Sequence, residues 1–327
     1  MVLKTTTRQA YLPGMEMRAD GTKELTPAQI WDEDAAKHSL DELFRNARQY
    51  RSSKSYRELI DYISRFRFYA PYNAMLLHVQ MPGAVFVAPA SRWLYQYGRT
   101  IKVYARPLVI LQPMGPVMFV FDVSDTEPGP NAFHLPKAIT NPFDGLSGLV
   151  GSSYDRTIEN AKRDGVMITE NKEGSQSAGS IRSGYGNGSK IMQFRIGTDE
   201  KRNPIFATIP VRYNMHLNAI MSREAKYATI VHELAHLYCG HIGTPDVKWW
   251  PDRIGLNENV REFEAESVAY LVCARQGIKT PSDSYLSDYM LKNNELPNIS
   301  LECVLKAAGL IETMGTERMK LRKEKER

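Results

Sequence analysis

Cysteine is scarce in this chain. Its 327 residues include three, Cys239, Cys273 and Cys303, with no CxxC pair. That count excludes a disulfide framework and a cysteine-built zinc site, and it fits free thiols in a reducing compartment. Long apolar runs are absent too. No stretch approaches the roughly 18 residues that a membrane-spanning helix needs, and residues 1–21 hold no apolar segment of the secretory type. These absences point to a soluble, cytoplasmic protein with no membrane partner. Acidic side chains are scarce in one strongly basic region. Between Arg45 and Arg106, eleven Lys/Arg face just Glu58 and Asp61, a local +9, so the rest of the chain carries −4 of the total +5.

What is present is globular usage: 43% hydrophobic and 24% charged residues exclude bulk disorder, and the length suits two domains, each able to bury a core. Residues 1–30 read as a flexible arm. Helices are expected around Leu40, Leu43, Phe44 and Ala47, over Ser55–Phe68, over Tyr72–Gln80 after Pro71, and over Ser91–Tyr97 with Gly98 as cap. Two strands follow, Leu108–Leu111 and Val117–Val123. The segment 126–150, rich in proline and glycine, reads as a linker between a domain at 31–125 and one at 151–315. In the second domain the pattern gives a helix at Tyr154–Arg163, strands at Val166–Thr169, Ile191–Ile196 and Ile205–Tyr213, and helices at Arg223–Cys239, Glu258–Gln276 and Leu301–Glu312. Gly and Ser dominate Asn171–Lys190, which reads as a flexible loop. The charged tail 316–327 is expected to fray. The fold class is therefore α+β.

The strongest chemical signal is His232-Glu233-Leu234-Ala235-His236. On a helix, residues four apart share a face, so both imidazoles can reach one ion. Glu233 projects about 100° away, where it can act on a water without filling a coordination position. Ser222 as N-cap, Glu224 in the first turn and Gly240 past the end support a helix here. A catalytic zinc site usually takes three protein ligands and one open position. The extended HExxHxxGxxH pattern fails, because Cys239 and Ile242 occupy its last two places. His241, five residues after His236, is expected to point away. In the next helix Glu262 and Glu266 share a face with Ala265 and Ala269, small residues that permit close approach. Glu262 is thus the expected third metal ligand and Glu266 the partner that orients an imidazole. Glu264 falls about 200° from Glu262 and is expected in solvent. Glu233 is the expected catalytic base and acid in hydrolysis of a protein or peptide, with Zn²⁺ as cofactor. Tyr213, His216 and Tyr238 are candidate transition-state donors, and the Ile205–Tyr213 strand is a candidate edge for an extended substrate.

These residues, His232–His236 with Gly240-His241 and Glu262 with Ala265-Glu266, resemble the ImmA/IrrE type of metallopeptidase across roughly residues 150–280. The resemblance implies a zincin-like domain, with a small β-sheet packed on the HExxH helix, and zinc held by His232, His236 and Glu262 in the HExxH…E manner. Glu266 stands where Asn or Asp is commoner in that family.

In the basic region, twelve aromatics are interleaved with the eleven basic residues between 45 and 106. Basic groups neutralise phosphates and exposed rings stack unpaired bases. The candidate single-stranded-DNA contacts are Arg45, Arg48, Arg51, Lys54, Arg57, Arg65, Arg67, Tyr72, Trp93, Arg99 and Lys102. The segments 70–77, 93–99 and 105–110 are similar to the N-terminal domain of ArdC-type antirestriction proteins. That likeness implies a single-stranded-DNA-binding domain ahead of a zinc peptidase domain. Two functions follow as expectations. One is a DNA-associated zinc endopeptidase that cleaves a regulatory or DNA-bound protein. The other is an antirestriction-type DNA-binding protein whose zinc is structural or vestigial. The sequence specifies neither the oligomeric state nor the protein substrate.

Overall fold

Glycine placement and helix caps fix where the elements of the C-terminal half start and stop. The computed structural model describes residues 15–17, 23–25, 50–112, 115–130, 132–135, 148, 150–172, 178–184 and 190–322. The expected helix around Leu40–Ala47 lies outside them. The fold is α+β, and the chain divides into two units, Met1–Gly145 and Leu146–Arg327. No helix among the described residues is long and apolar enough to cross a membrane.

The first unit begins with two short paired strands, β1 (Met15–Met17) and β2 (Lys23–Leu25). Helix α1 (Ser53–Arg65) starts where the Ser52 side chain accepts from the Ser55 N–H. Helix α2 (Pro71–Gln80) has Pro71 in its first turn, where a missing N–H costs nothing. After β3 (Val87–Ala88) come α3 (Ala90–Tyr97), closed by left-handed Gly98, and β4 (Arg99–Ile101). Strands β5 (Leu108–Gln112), β6 (Gly115–Asp122) and β7 (Thr126–Pro128) complete the unit. The strand order β3-β6-β5 leaves β5 at a sheet edge, and α2 covers that edge with two amides. Asn73 bonds both the N–H and the C=O of Leu111, and Gln80 does the same for Val109. An exposed edge invites pairing with other chains, so this cover is protective.

The second unit holds a three-stranded sheet ordered β8-β12-β9, from β8 (Val166–Asn171), β9 (Gly179–Ser183) and β12 (Tyr213–Asn218), together with a hairpin of β10 (Ile191–Thr198) and β11 (Pro204–Pro210). Five helices complete the described residues of this unit, α4 (Ser153–Arg163), α5 (Arg223–Tyr238), α6 (Glu258–Ala274), α7 (Pro281–Lys292) and α8 (Leu301–Thr316), and α4 packs on β8. Helix α5 packs on α6, on α8 and on the sheet at β9 and β12, while α7 packs on α6.

Three expectations are corrected. The Gly/Ser segment contains β9, whose glycine serves packing: a Cβ on Gly179 would stand 2.6 Å from Thr229 Cγ2 on α5. Ile205–Tyr213 is two strands, since β11 pairs with β10 and β12 enters the middle of the other sheet. The start of the tail is pinned. Asn160 bonds the Met314 and Glu317 carbonyls and the Met319 N–H, and Arg322 Nε donates to Asp164 at 3.0 Å.

Gly240 closes α5 at φ +81°, and a Cβ there would lie 2.1 Å from the Pro251 carbonyl oxygen. The Gly240→Ala variant should lose roughly 3 kcal/mol or more of stability, combining left-handed strain with a backbone clash. Denaturant unfolding followed by circular dichroism measures the loss, and an unchanged midpoint would contradict this reading of the turn.

Candidate metal centre

Helix α5 carries the HExxH segment because Ser222 caps it, accepting from the Ala225 N–H, and because Tyr227, Ile230, Val231 and Leu234 are buried. Helix α6 is capped in the same way by Asn257, whose side chain accepts from the Val260 N–H. Ala235 on α5 and Ala265 and Ala269 on α6 are buried, and the two helices pack directly together.

That packing brings three residues with ligand-type atoms to one place. His232 Nε2 and His236 Nε2 are 3.2 Å apart. Glu262 Oε2 is 3.6 Å from the first and its Oε1 is 3.5 Å from the second. Ligands on a tetrahedral ion at about 2.0–2.2 Å stand about 3.3–3.6 Å from one another, so the spacing matches one shared ion. Hydrogen bonding alone does not account for it, because neither Glu262 approach has ordinary hydrogen-bond length. The chemistry of the donors also fits: two borderline-soft imidazoles and one carboxylate suit zinc.

The electrostatics agree with a centre built for a cation. Burial and the neighbouring His232 push His236 down to about 3, so its imidazole is neutral at ordinary pH. Burial also opposes charge on His232, but Glu262, Glu266 and Glu233 outweigh it and raise that group. Glu262 is lowered by facing His232, against the opposing effect of burial. Glu233 is buried, and that burial raises its carboxyl although His232 and the Ile181 N–H act the other way. The Ile181 contact places Glu233 under β9, an edge strand of the sheet.

Outside the ligands, Glu266 Oε1 is 3.6 Å from His232 Nδ1, beside the imidazole but just past hydrogen-bond length. His241 departs from expectation. Helix α5 ends in a Schellman turn, in which the Gly240 N–H bonds the Leu237 carbonyl and the His241 N–H bonds the His236 carbonyl. The turn folds His241 back, and its Nδ1 lies 3.0 Å from His236 Nδ1. Glu264 is likewise no solvated charge. It is fully buried and receives four hydrogen bonds, two from Arg253 (2.7 and 2.8 Å), one from the Ser300 N–H (2.6 Å) and one shared with His241 Nε2 (2.9 Å). Cys239, His241 and Glu264 form a second cluster of ligand-type atoms. Arg253 and the other donors occupy the carboxylate there, which has about four acceptor sites, so none remains for a cation.

Each of the three donor candidates has a partner outside the His232, His236 and Glu262 set. Tyr213 is buried and donates to the Gly243 carbonyl, while Tyr238 is buried and donates to Asp164 Oδ2. Both phenols serve packing, because a buried hydroxyl needs a partner. His216 Nδ1 pairs with Thr169 Oγ1 at 2.7 Å across β12 and β8. The polar group that the sequence reading missed is Tyr285 on α7. Burial raises its phenol first, and the charges of Glu262 and Glu266 raise it further, which sets it near both carboxylates. The edge strand beside the centre is β9 instead of Ile205–Tyr213.

In the first unit, Arg51, Lys54 and Arg65 are exposed, and Arg67 and Tyr72 are half-buried. Arg57 pairs with Asp61, Arg99 with Thr126, and Lys102 with the Ser124 carbonyl. Trp93 is fully buried, with Nε1 donating to the Phe121 carbonyl, so it cannot stack a base. Its ring sits in a cluster with Phe86, Tyr97 and Phe121. Arg45 and Arg48 lie outside the described residues.

The purified chain should bind one Zn²⁺, and His232→Ala, His236→Ala or Glu262→Ala should weaken it by more than about 100-fold, beyond the 10–100-fold usual for an outer partner. Chelator competition measures this; unchanged affinity in all three variants would place the metal elsewhere. Comparison with known proteins finds no matching family model, curated protein or solved structure.

Proposed function

We propose that the second unit is a zinc metallopeptidase of the ImmA/IrrE type with a zincin-like core. The observation that carries this reading is the convergence of His232, His236 and Glu262 at 3.2–3.6 Å beside a buried Glu233. Zinc would be held by His232, His236 and Glu262, and when bound it would supply Lewis acidity for a water and a scissile carbonyl. Burial shifts Glu233 upward, towards the range where a carboxyl both accepts and returns a proton near neutral pH. In this reading Glu233 takes the proton of the attacking water and delivers it to the leaving amine. The edge of β9, whose Ile181 N–H contacts Glu233, accepts an extended substrate by strand addition.

A second reading, supported by a separate observation, gives the first unit single-stranded DNA as partner. Tyr95 and Tyr104 are 83% and 82% exposed, with Arg92, Lys102 and Arg106 exposed close to them in sequence. Large exposed rings have no packing role, and stacking on unpaired bases gives them one. Together the two readings describe an ArdC-like protein that cleaves a DNA-associated or regulatory protein.

Two measurements test these assignments. Glu233→Gln should keep zinc while peptide cleavage falls on the order of 10²–10⁴-fold, measured on proteins that co-purify with the chain. Retained cleavage would remove the peptidase reading, and a retained biological effect without cleavage would favour the DNA-binding alternative with vestigial zinc. On a fluorescent oligo-dT, Tyr95→Ala and Tyr104→Ala should each cost about 1–3 kcal/mol, and affinity should fall steeply with salt. A salt-independent signal would remove the DNA partner.

A further inference from the structure

One buried cluster beside the centre has no role in the account above. His236 uses Nε2 to face His232 and Glu262. Its other nitrogen, Nδ1, meets His241 Nδ1 at 3.0 Å, and His241 Nε2 meets Glu264 Oε2 at 2.9 Å. His241 and Glu264 are both buried, and Arg253 grips Glu264 with two donors while the Ser300 N–H adds a third.

The proton positions along this chain are constrained. A carboxylate gripped by a guanidinium only accepts, so His241 Nε2 must carry the hydrogen that it shares with Glu264. Two imidazole nitrogens 3.0 Å apart need one hydrogen between them. If that hydrogen sits on His236 Nδ1, then His236 Nε2 is a bare lone pair, as a metal ligand requires. If it sits on His241 instead, a neutral His236 carries its hydrogen on Nε2, and that nitrogen turns a donor towards the ligand cluster.

We propose that His241 and Glu264 are positioning residues that fix His236 as its Nδ1–H tautomer, through the sequence His236 Nδ1–H to His241 Nδ1 and His241 Nε2–H to Glu264, so that Nε2 is presented to the metal. The proposal rests on the metallopeptidase reading for its purpose but not for its geometry. It explains why the Glu264 carboxylate is fully buried, with the half-buried Arg253 as its partner, where an apolar residue of similar size would pack at no electrostatic cost. It also gives the Schellman turn at Gly240 a function, because only that reversal returns His241 to the helix it has just left.

The test has two arms on the full chain. The first is ¹⁵N NMR of the metal-free protein, with His236 assigned by comparison with His236→Ala; it reads the tautomer directly. A protonated Nδ1 and bare Nε2 on His236 are expected, and the reverse tautomer overturns the proposal. The second arm compares zinc affinity by chelator competition in His241→Leu and His241→Gln. A glutamine amide offers one acceptor and one donor and can restore the chain, whereas leucine offers neither. His241→Leu should bind zinc 10–100-fold more weakly, and His241→Gln should stay within about threefold of wild type. Leucine binding as well as wild type overturns the proposal, and so does glutamine falling as far as leucine, since a merely structural role predicts no rescue. Should wild type hold no zinc, the metallopeptidase reading fails, while the tautomer still decides the relay. Should His241→Leu not fold, the tautomer and the glutamine variant decide it.

Discussion

The close packing of α5 on α6 is the constraint from which the rest of the second unit follows. Two imidazoles on one helix define a line, and a carboxylate from a different helix is needed to make it a triangle. Ala235, Ala265 and Ala269, all buried, allow that approach because no larger side chain separates the backbones. The consequence is a triangle of three side chains that approach one another at 3.2, 3.5 and 3.6 Å, the last two distances through different oxygens of Glu262, close to the ligand spacing of a single tetrahedral ion.

Around that triangle the supporting structure is asymmetric. On the β9 side, burial raises the Glu233 carboxyl, while His232 and the Ile181 N–H act the other way. On the far side, Glu264 is saturated by Arg253, Ser300 and His241. One carboxylate is therefore raised by burial, and the other is held by a full set of donors. The difference arises from partners, since both side chains come from helices in the same core.

Much of this centre was legible in the sequence because it depends on helical periodicity. The His232/His236 spacing, the Ser222 cap and the face shared by Glu262 and Glu266 are local properties, and local properties survive into the fold. What was illegible depends on chain reversals and long-range neighbours. Extending the helix carries His241 away, and only the left-handed Gly240 shows that the chain turns back. Glu264 sits on the side of α6 away from the ligands, and periodicity cannot reveal that Arg253 and Ser300 wait there. The Gly/Ser segment looked structureless because its composition suits a loop, whereas Gly179 is demanded by contact with Thr229. In the first unit the interleaved aromatics divide into a core set, including Trp93, and an exposed set, including Tyr95 and Tyr104. Spacing over a helix as short as α3 does not separate Trp93 from Tyr95, and Tyr104 lies in the turn after β4, where no periodicity applies.

X-ray absorption at the zinc edge of the metal-loaded full chain tests the central claim most directly. Two imidazole nitrogens at about 2.0–2.1 Å and carboxylate or solvent oxygen at about 2.0–2.2 Å are expected, with one imidazole lost in His236→Ala. A sulfur scatterer at about 2.3 Å would place the ion with Cys239 instead. A shell of oxygen alone would mean that the paired helices do not hold it.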